Sequence, residues 1–117
     1  MDKVRKFKSK LIKVIDGDTI DAEIDLGFNV HIKKRVRLWQ INAPETRSKS
    51  KQEVAKGKTA KRRLIEILDS TDGKFILVSH GLGKYGRCLG ELYIKGEERS
   101  VNQLLIDEGL VKEYNKK

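Results

Sequence analysis

The stretch "VIDGDTIDAEIDL" (Val14–Leu26) carries the signals from which the fold can be worked out. After Asp18 its residues alternate strictly between polar and apolar. Successive side chains of a strand point to opposite faces, so this alternation predicts a half-buried strand over Thr19–Leu26 with an acidic outer face. The preceding letters, "IDGD", place Asp16 and Asp18 on either side of a glycine, which is typical of a turn.

The chain as a whole is basic, so a pair of aspartates at one turn needs an explanation. The sequence has 117 residues, with 26 Lys and Arg against 17 Asp and Glu, and a net charge of +9. This length fits one domain with a single core. A strongly positive field attracts polyanions, and the expected partner is therefore nucleic acid, either DNA or RNA.

Membranes are not an expected partner. The sequence shows no basic amphipathic helix with an aromatic apolar face, and no apolar run of bilayer length. The single cysteine, Cys88, cannot form an internal disulfide, and no apolar leader segment follows the basic residues at the start. As given, the sequence predicts a cytoplasmic protein, although a secreted mature form without its leader would show the same features.

Further strand patterns extend outward from the first stretch. Gly27 marks a turn, and alternation resumes over Val30–Ile41, so the two runs are predicted to form a hairpin. Phe7–Ile15 is predicted to form a strand before them. The segments "KFILVSH" and "RCLGELYI", separated by "GLGKYG", supply two more. Five strands are therefore predicted.

Two segments have helical patterns. In "KQEVAKGKTAKRRLIEILDS" (51–70) the apolar residues recur at helical spacing, although Gly57 is unfavourable within a helix; they are Ala60, Leu64, Ile67 and Leu68. In "SVNQLLIDEG", Ser100 and Gln103 have the spacing of a capping box, and Gly109 follows as a C-terminal cap.

Together these elements predict a β-rich fold, α+β by content. We expect a five-stranded Greek-key barrel of the oligonucleotide-binding (OB) type with two packed helices. The chain is expected to form one domain over residues 1–117, with flexible ends at 1–6 and 113–117.

Two more segments bear on function. In "VRLWQINAPE" the only proline, Pro44, restricts the chain directly before Glu45 and stiffens the turn that presents this carboxylate. In "GKYGR", glycines flank Lys84 and Tyr85, and Arg87 follows. Taken singly, the first segment could be an ordinary strand end with a surface glutamate, and the second an ordinary hairpin turn.

The order of four motifs is more specific than any one of them. The segments "VIDGDT", "VRLWQINAPE", "KYGR" and "VNQLLIDEGLV" follow one another with the spacing of the staphylococcal nuclease (thermonuclease) family, and the chain resembles that family from about Leu11 to Val111. The resemblance implies a five-stranded OB barrel. It also implies calcium-dependent hydrolysis of DNA and RNA phosphodiesters with little sequence specificity.

The resemblance assigns the metal site and the catalytic residues. It implies that Asp18 binds calcium, that Asp16 supports it, and that Asn42 and the backbone carbonyl of Ala43 complete the ligand set. Glu45 matches the general base or water-positioning residue, and Arg37 and Arg87 match the arginines that hold the scissile phosphate. Arginine fits this role because its planar fork can bind two phosphate oxygens at once. Lys84 and Tyr85 match residues that contact a neighbouring phosphate, and Tyr114 is the candidate for stacking on a base.

Three positions depart from the family pattern. Asn42 stands in place of an aspartate, so the ligand set has one negative charge fewer and the affinity for calcium is open to question. Ala43 replaces a threonine whose backbone carbonyl is the ligand, which is a smaller change. Gly83 replaces an aspartate.

The remaining conspicuous residues have ordinary explanations. His31 and His80 lie on different predicted strands, and with one cysteine they offer no zinc-ligand spacing. Trp39 is expected to be a partly buried residue of the barrel wall, although stacking on a base is the alternative.

Two functions therefore stay open. The first is an active metal-dependent nuclease, expected to be a monomer, that acts on single-stranded or frayed nucleic acid. The retained set of Asp18, Arg37, Glu45 and Arg87 favours this enzyme. The second is a catalytically weakened OB-fold module that binds nucleic acid without cleaving it.

Overall fold

The computed structural model describes residues 5–47, 49–83 and 86–113. Three predicted substrate-binding residues, Lys84, Tyr85 and Tyr114, lie outside the described residues. The described residues form seven strands and two helices: β1 (Arg5–Asp16), β2 (Thr19–Gly27), β3 (Val30–Leu38), β4 (Ile41–Asn42), α1 (Lys51–Asp69), β5 (Lys74–Leu82), β6 (Cys88–Tyr93), α2 (Val101–Asp107) and β7 (Lys112–Glu113).

Five of these strands close into a barrel in the order β1-β2-β3-β6-β5. Neighbouring barrel strands are antiparallel except β3 and β6, which are parallel. The predicted five-stranded barrel with two helices is therefore confirmed.

The first strand, β1, pairs with two different strands along its length. Its first half, Arg5–Lys10, pairs with β5, and its second half, Ser9–Asp16, pairs with β2. The register with β2 shifts twice, the second time between Val14 and Asp16. A bulge turns the side chains that follow it, so this irregularity helps to set the direction of Asp16 at the end of the strand. The strand begins at Arg5, earlier than the predicted start at Phe7.

The prediction of one continuous strand over Val30–Ile41 was wrong. Strand β3 ends at Leu38, and the chain turns at Trp39 and Gln40, where Gln40 has a φ of 62°. Ile41 and Asn42 then form β4, which pairs with β7 in a small separate ribbon that the sequence pattern did not indicate. This reversal brings Asn42 back towards the end of β3.

Alternation along the strands places the core inside the barrel, as predicted. Ile20, Ala22 and Ile24 of β2 are buried, and Val36 and Leu38 of β3 face the same interior. The core continues under both helices, where it includes Ala60, Leu64, Leu68, Val101 and Leu105. Cys88 is a free thiol buried at the start of β6, and burial raises its pKa.

Helix α1 crosses the barrel through the apolar face that the sequence predicted. The side chain of Ser50 caps its first turn by accepting a hydrogen bond from the Glu53 N–H at 3.3 Å. Gly57 is buried in the middle of the helix, where a Cβ atom would lie 2.7 Å from the carbonyl oxygen of Pro44. A glycine is therefore needed because the helix touches the backbone of the Pro44 turn.

Helix α2 begins at the predicted cap. Ser100 accepts a hydrogen bond from the Gln103 N–H at 3.0 Å. The Gln103 side chain does not complete the predicted capping box, because its Nε2 donates instead to Asp107 at 2.8 Å. Gly109 has a φ of 72° and ends the helix as expected.

A buried amide fixes α2 to the barrel. Asn102 is 4% exposed, and its Nδ2 donates to the carbonyl oxygens of Trp39 and Gly90 at 3.0 and 3.1 Å. Its Oδ1 accepts from the Leu92 N–H at 3.2 Å. One side chain thus ties the helix to β6 and to the turn after β3.

Candidate active site

The turn between β1 and β2 holds Asp18 in a defined position. Oδ1 of Asp18 accepts a hydrogen bond from the Thr19 hydroxyl, and Oδ2 accepts one from the Ala43 N–H, both at 2.9 Å. The Asp18 carbonyl oxygen also accepts from the Leu38 N–H at 2.8 Å. The turn is therefore joined to the end of β3 and to the segment after β4.

Arg37 lies beside Asp18 at the end of β3. Its Nη1 is 3.4 Å from Asp18 Oδ2, and the two side chains are 19% and 15% exposed. The same Nη1 donates to the carbonyl oxygens of Ile41 and Leu38 at 2.8 and 3.2 Å. These contacts hold the Arg37 guanidinium in a fixed place, with 19% of the side chain exposed.

Asn42 completes the cluster from the other side. Arg37 Nη2 donates a hydrogen bond to Asn42 Oδ1 at 2.5 Å, and Asn42 is exposed. The structure therefore brings together four predicted site residues, Asp18, Arg37, Asn42 and Ala43. The amide oxygen that the resemblance implies as a metal ligand is engaged with the arginine.

Asp16 and Glu45 are linked through a second set of contacts. The Thr46 hydroxyl donates to Asp16 Oδ1 at 2.8 Å, which places the residue after Glu45 against the end of β1. The Glu45 N–H donates to Glu53 Oε1 of helix α1 at 3.2 Å. The Glu45 side chain is exposed. Thr46 and Glu53 were not predicted from the sequence, because hydrogen bonds between distant segments leave no local pattern.

Helix α1 supports both turns of the site by close packing. A Cβ atom at Gly17 would lie 2.7 Å from the Cβ of Ala60, and one at Gly57 would lie 2.7 Å from the oxygen of Pro44. Real Cβ atoms do not approach so closely. The two glycines therefore let the helix press on the Asp16–Asp18 turn and on the Pro44–Glu45 turn together. In the sequence, the only sign of this close packing was Gly57, a residue that is unfavourable within a helix.

Arg87 belongs to the rim of a groove that starts at the site. It is half-buried, and its carbonyl oxygen accepts from the Gly83 N–H at 2.7 Å, which closes the loop before β6. The groove has a volume of about 620 Å³ and is lined by Asp16, Thr19, Gly86 and Arg87 together with Lys33, Lys34 and Arg35 of β3. Arg87 and Asp16 thus share one cleft.

The candidate metal ligands fit a hard cation in their chemistry. The carboxylates of Asp16 and Asp18, the amide oxygen of Asn42 and the carbonyl of Ala43 are all oxygen donors, which calcium prefers. In the part of the chain that the structure describes, no group of three or more His, Cys, Asp or Glu residues is arranged to hold a metal. The donor set therefore suits calcium but carries little negative charge.

The two histidines have structural surroundings. The ring of His80 stacks on Trp39 with centroids 3.7 Å apart, and its Nε2 lies 2.7 Å from Glu91 Oε1. His31 lies 3.8 Å from Asp25 on the surface. Trp39 is half-buried, as expected, but it lies in the turn after β3 rather than in a strand of the barrel wall.

The chain matches a known protein family over most of its length. The family described as "Staphylococcal nuclease homologue" matches residues 35–117. Arg37, Asn42, Glu45 and Arg87 lie within that segment, whereas Asp16 and Asp18 precede it. The Escherichia coli protein named "Protein ParB" is 28% identical over an alignment 120 residues long, which covers 93% of this chain and 58% of ParB. The chain therefore spans a little over half of that relative's length.

The fold and the site define a class, a basic β-barrel whose surface gathers carboxylates and arginines beside one turn. The chain belongs to the staphylococcal nuclease homologue family. Members of this family are in general nucleases or nucleic-acid-binding domains, and their activity typically depends on calcium. None of the helices in the described residues is long and apolar enough to cross a membrane.

Proposed function

We propose that this chain is a single-domain, calcium-dependent nuclease that hydrolyses phosphodiester bonds of DNA and RNA with little sequence specificity. The observation that carries the proposal is the position of Arg37, which is fixed by Ile41, Leu38 and Asn42 at 3.4 Å from Asp18. A guanidinium held beside a carboxylate can receive a phosphate next to a cation. Single-stranded or frayed nucleic acid, bound by a monomer, is the substrate we expect.

The chemistry assigns a role to each residue. A phosphodiester is anionic and repels a nucleophile, so the site must neutralise charge and position the attacking water. Arg37 and Arg87 would bind the non-bridging oxygens of the phosphate, and Arg87 lies on the groove that also contains Asp16. Glu45 would orient the water and accept its proton as the new bond to phosphorus forms. The bond from phosphorus to the leaving sugar oxygen would then break, and that oxygen would take up a proton from solvent.

The calcium ligands would be Asp18, Asp16, Asn42 and the Ala43 carbonyl. When bound, calcium would supply positive charge to the phosphate oxygens and so favour attack. Among the substrate-binding residues, Lys84 and Tyr85 would contact a neighbouring phosphate, and Tyr114 would stack on a base. The absence of base-reading contacts in this scheme explains the expected lack of sequence preference.

The experiment is a cleavage assay on end-labelled single-stranded DNA and RNA, run with calcium and with a chelator. We expect cleavage in calcium, none in chelator, and fragments of many lengths. Cleavage that continues undiminished in chelator would rule out the metal mechanism. A preparation of the Glu45→Gln variant, purified in the same way, controls for a contaminating nuclease.

A second function is favoured by one specific observation. Asn42 Oδ1 is occupied by Arg37 rather than directed to a cation, and this weakens the metal site. A domain of this kind could bind nucleic acid without cutting it. Fluorescence anisotropy that detects binding, together with no cleavage at high calcium, would favour this binding module over the nuclease.

A further inference from the structure

The outer face of β1, β5 and β6 carries a second groove. It has a volume of about 740 Å³ and is lined by Lys6, Phe7 and Lys8 of β1, Ile76 and Val78 of β5, and Tyr93 of β6. We call this surface the β5 face. None of its residues contributes to the candidate active site.

The β5 face is more apolar than an outer barrel surface needs to be. Phe75 and Leu77 of β5 point into the core, so the alternate residues Ile76 and Val78 lie on the outer face, where Val78 is covered by its neighbours and is only 7% exposed. Ile76 is 37% exposed and pairs across the sheet with Tyr93. An outward strand face that meets only water is normally polar. Apolar side chains and an aromatic ring here therefore indicate a surface that contacts a ligand.

Positive charge surrounds this apolar centre. Lys6 and Lys8 pair in the sheet with Val78 and Ile76, and Lys10 pairs with Lys74 at the end of the face. In the described part of the chain, these four lysines form no ion pair with a carboxylate, although Lys10 also lies opposite Glu23 of β2. Like charges side by side are unfavourable unless an anion joins them.

The outer surface of β2 and β3 differs from the β5 face in how its charges are paired. There the outer residues of β2 and β3 pair acid with base, as Asp21 does with Arg35, whose Nε lies 2.8 Å from Asp21 Oδ1. The Arg35 hydrogen bond lowers the pKa of Asp21, so both groups stay charged and neutralise each other. The β5 face thus holds uncompensated lysines where the β2–β3 surface holds matched pairs.

The aromatic ring of the β5 face is held in place from one side. The Tyr93 hydroxyl donates to Glu91 Oε2 at 3.2 Å, and Glu91 Oε1 lies 2.7 Å from His80, which stacks on Trp39. Burial and the neighbouring Glu91 raise the pKa of the Tyr93 phenol, so it remains a donor. Glu91, which pairs with Val78 of the groove, is thereby already engaged with His80 and Tyr93.

We propose that the β5 face is a second binding site for single-stranded nucleic acid, with Lys6 and Lys8 on successive phosphates and a base stacked against Tyr93 and Ile76. Tyr93 is half-buried at this groove, and a basic groove with an accessible aromatic face is the arrangement that binds single strands without sequence preference. Alternate residues of a strand are about 6.7 Å apart, which is comparable to the phosphate separation in an extended single strand. The proposal rests on the proposed function only in its choice of nucleic acid as the ligand.

The site would hold a long substrate at a distance from the scissile bond. Lys8 precedes Asp16 by eight residues on β1, which corresponds to about 26 Å along a strand. A strand bound at both places would gain affinity through the second contact, whereas a very short oligonucleotide could occupy only one.

The experiment measures binding of a fluorescent single-stranded 20-nucleotide oligothymidylate by anisotropy, in chelator so that nothing is cleaved. We compare the wild type, the double variant Lys6→Gln/Lys8→Gln, and the control Lys58→Gln/Lys61→Gln on helix α1, which changes the net charge equally. We expect the first double variant to bind about 10-fold more weakly. Its plot of log affinity against log salt should be shallower by about 1.4, since each lost phosphate contact on a single strand contributes about 0.7. Equal weakening in both double variants would overturn the proposal, because net charge alone would then explain binding.

Tyr93 tests the stacking contact without any change of charge. Tyr93→Ala should weaken binding of the oligothymidylate about 10-fold, and Tyr93→Phe should restore most of it. Neither change should affect an abasic oligomer of the same length. An equal loss on the abasic oligomer would show that Tyr93 does not contact a base, and would contradict the stacking part of the site. Thermal melts establish that each variant is folded.

The outcome separates this proposal from the nuclease. If the Lys6/Lys8 variant binds like the wild type while the wild type cleaves in calcium, the second site is wrong and the nuclease stands. If the Lys6/Lys8 and Tyr93 effects appear but no protein cleaves, the second site stands and the nuclease is wrong. Full displacement of the oligomer by polyglutamate at an equal concentration of charge would identify an acidic protein as the better ligand and overturn the proposal.

Discussion

Arg37 Nη2 donates a 2.5 Å hydrogen bond to Oδ1 of Asn42, so an amide oxygen holds the arginine at the position where the family pattern has a carboxylate. Arg37 Nη1 lies 3.4 Å from Asp18 on the other side. The guanidinium therefore lies between the neutral amide oxygen of Asn42 and the charged carboxylate of Asp18. This arrangement keeps Arg37 oriented while leaving only part of its charge neutralised.

Replacing Asn42 by aspartate should tighten calcium binding to the nucleotide-free protein. An ionised carboxylate is a stronger ligand for a hard cation than an amide oxygen, and Asp18 already lies close to the same arginine. Calorimetric titration of calcium into the wild type and Asn42→Asp measures the difference. Equal affinities in the two proteins would remove residue 42 from the metal shell.

Glu45→Gln should lower turnover by about 10²–10⁴-fold, because the amide cannot accept a proton from water. Stability should change little, since Glu45 is exposed and its backbone N–H keeps its contact with Glu53. Steady-state kinetics and a urea titration measure both effects. Glu98→Gln, at another exposed glutamate, is the matched control. A Glu45→Gln enzyme as fast as this control would exclude Glu45 from the chemistry.

Gly57→Ala should impair the enzyme although alanine is the better helix former. Helix propensity alone would favour the change by about 1 kcal/mol. The new Cβ would lie 2.7 Å from the Pro44 oxygen, and overpacking of this kind costs about 1–3 kcal/mol. We expect lower stability together with slower turnover, because the Glu45 turn must move. Lys58→Ala, on the exposed side of the same helix, should do neither, and a Gly57→Ala protein that is both stabilised and fully active would contradict the packing argument.

Asn102→Ala should destabilise the fold by about 2–4 kcal/mol, because it removes the side-chain partner of the buried Leu92 N–H and of the Trp39 carbonyl oxygen, whereas the Gly90 carbonyl oxygen keeps its hydrogen bond from the Trp39 N–H. The comparison is Ser100→Ala, which removes a helix cap two residues away and should cost about 1 kcal/mol. Urea unfolding of both variants gives the two values. Equal losses would mean that water replaces the amide.

The link between the helices should weaken in acid. Arg63 of α1 donates to both oxygens of Glu108 at 2.7 and 3.0 Å, and this contact lowers the Glu108 pKa from its ordinary value of 4.5. A carboxylate whose pKa is lower in the folded state stabilises the protein above the unfolded-state pKa, and this contribution disappears as the pH falls through the folded-state pKa. Stability should therefore decline as the pH falls below about 4.5, and Glu108→Gln should make the decline shallower. Urea midpoints from neutral pH down to about pH 3 test this. Superimposable curves for the two proteins would show that the ion pair contributes nothing.

Much of the fold could be predicted because the barrel obeys the two-residue period of a strand. Ile20, Ala22 and Ile24 are buried as their spacing required. The end of β3 could not be predicted, because the reversal depends on a positive φ at Gln40, a residue type that does not indicate one. The ribbon of β4 and β7 was missed for the same reason.

The site could be predicted only as a set of residue types. Motif order brought Asp18, Arg37 and Asn42 into one hypothesis, and in the structure Arg37 contacts both of the other two residues. The direction of those contacts could not be foreseen, because spacing along the chain does not tell which atom Asn42 Oδ1 will meet. The support from Thr46 and Glu53 arises from tertiary packing, so it has no local signal.

The pairing of β4 with β7 also sets the point during synthesis at which the turn with Arg37 and Asn42 gains its partner strand. Asn42 is held beside Lys112, a residue that follows it by 70 positions, and β1 and β3 likewise need partners from the second half of the chain. A ribosome that adds about 5–20 residues per second needs about 4–14 s to make that interval. Throughout that time the turn with Arg37 and Asn42 has no lasting anchor. A nuclease of the kind proposed above would therefore leave RNA intact until the ribosome has made the residues of β7.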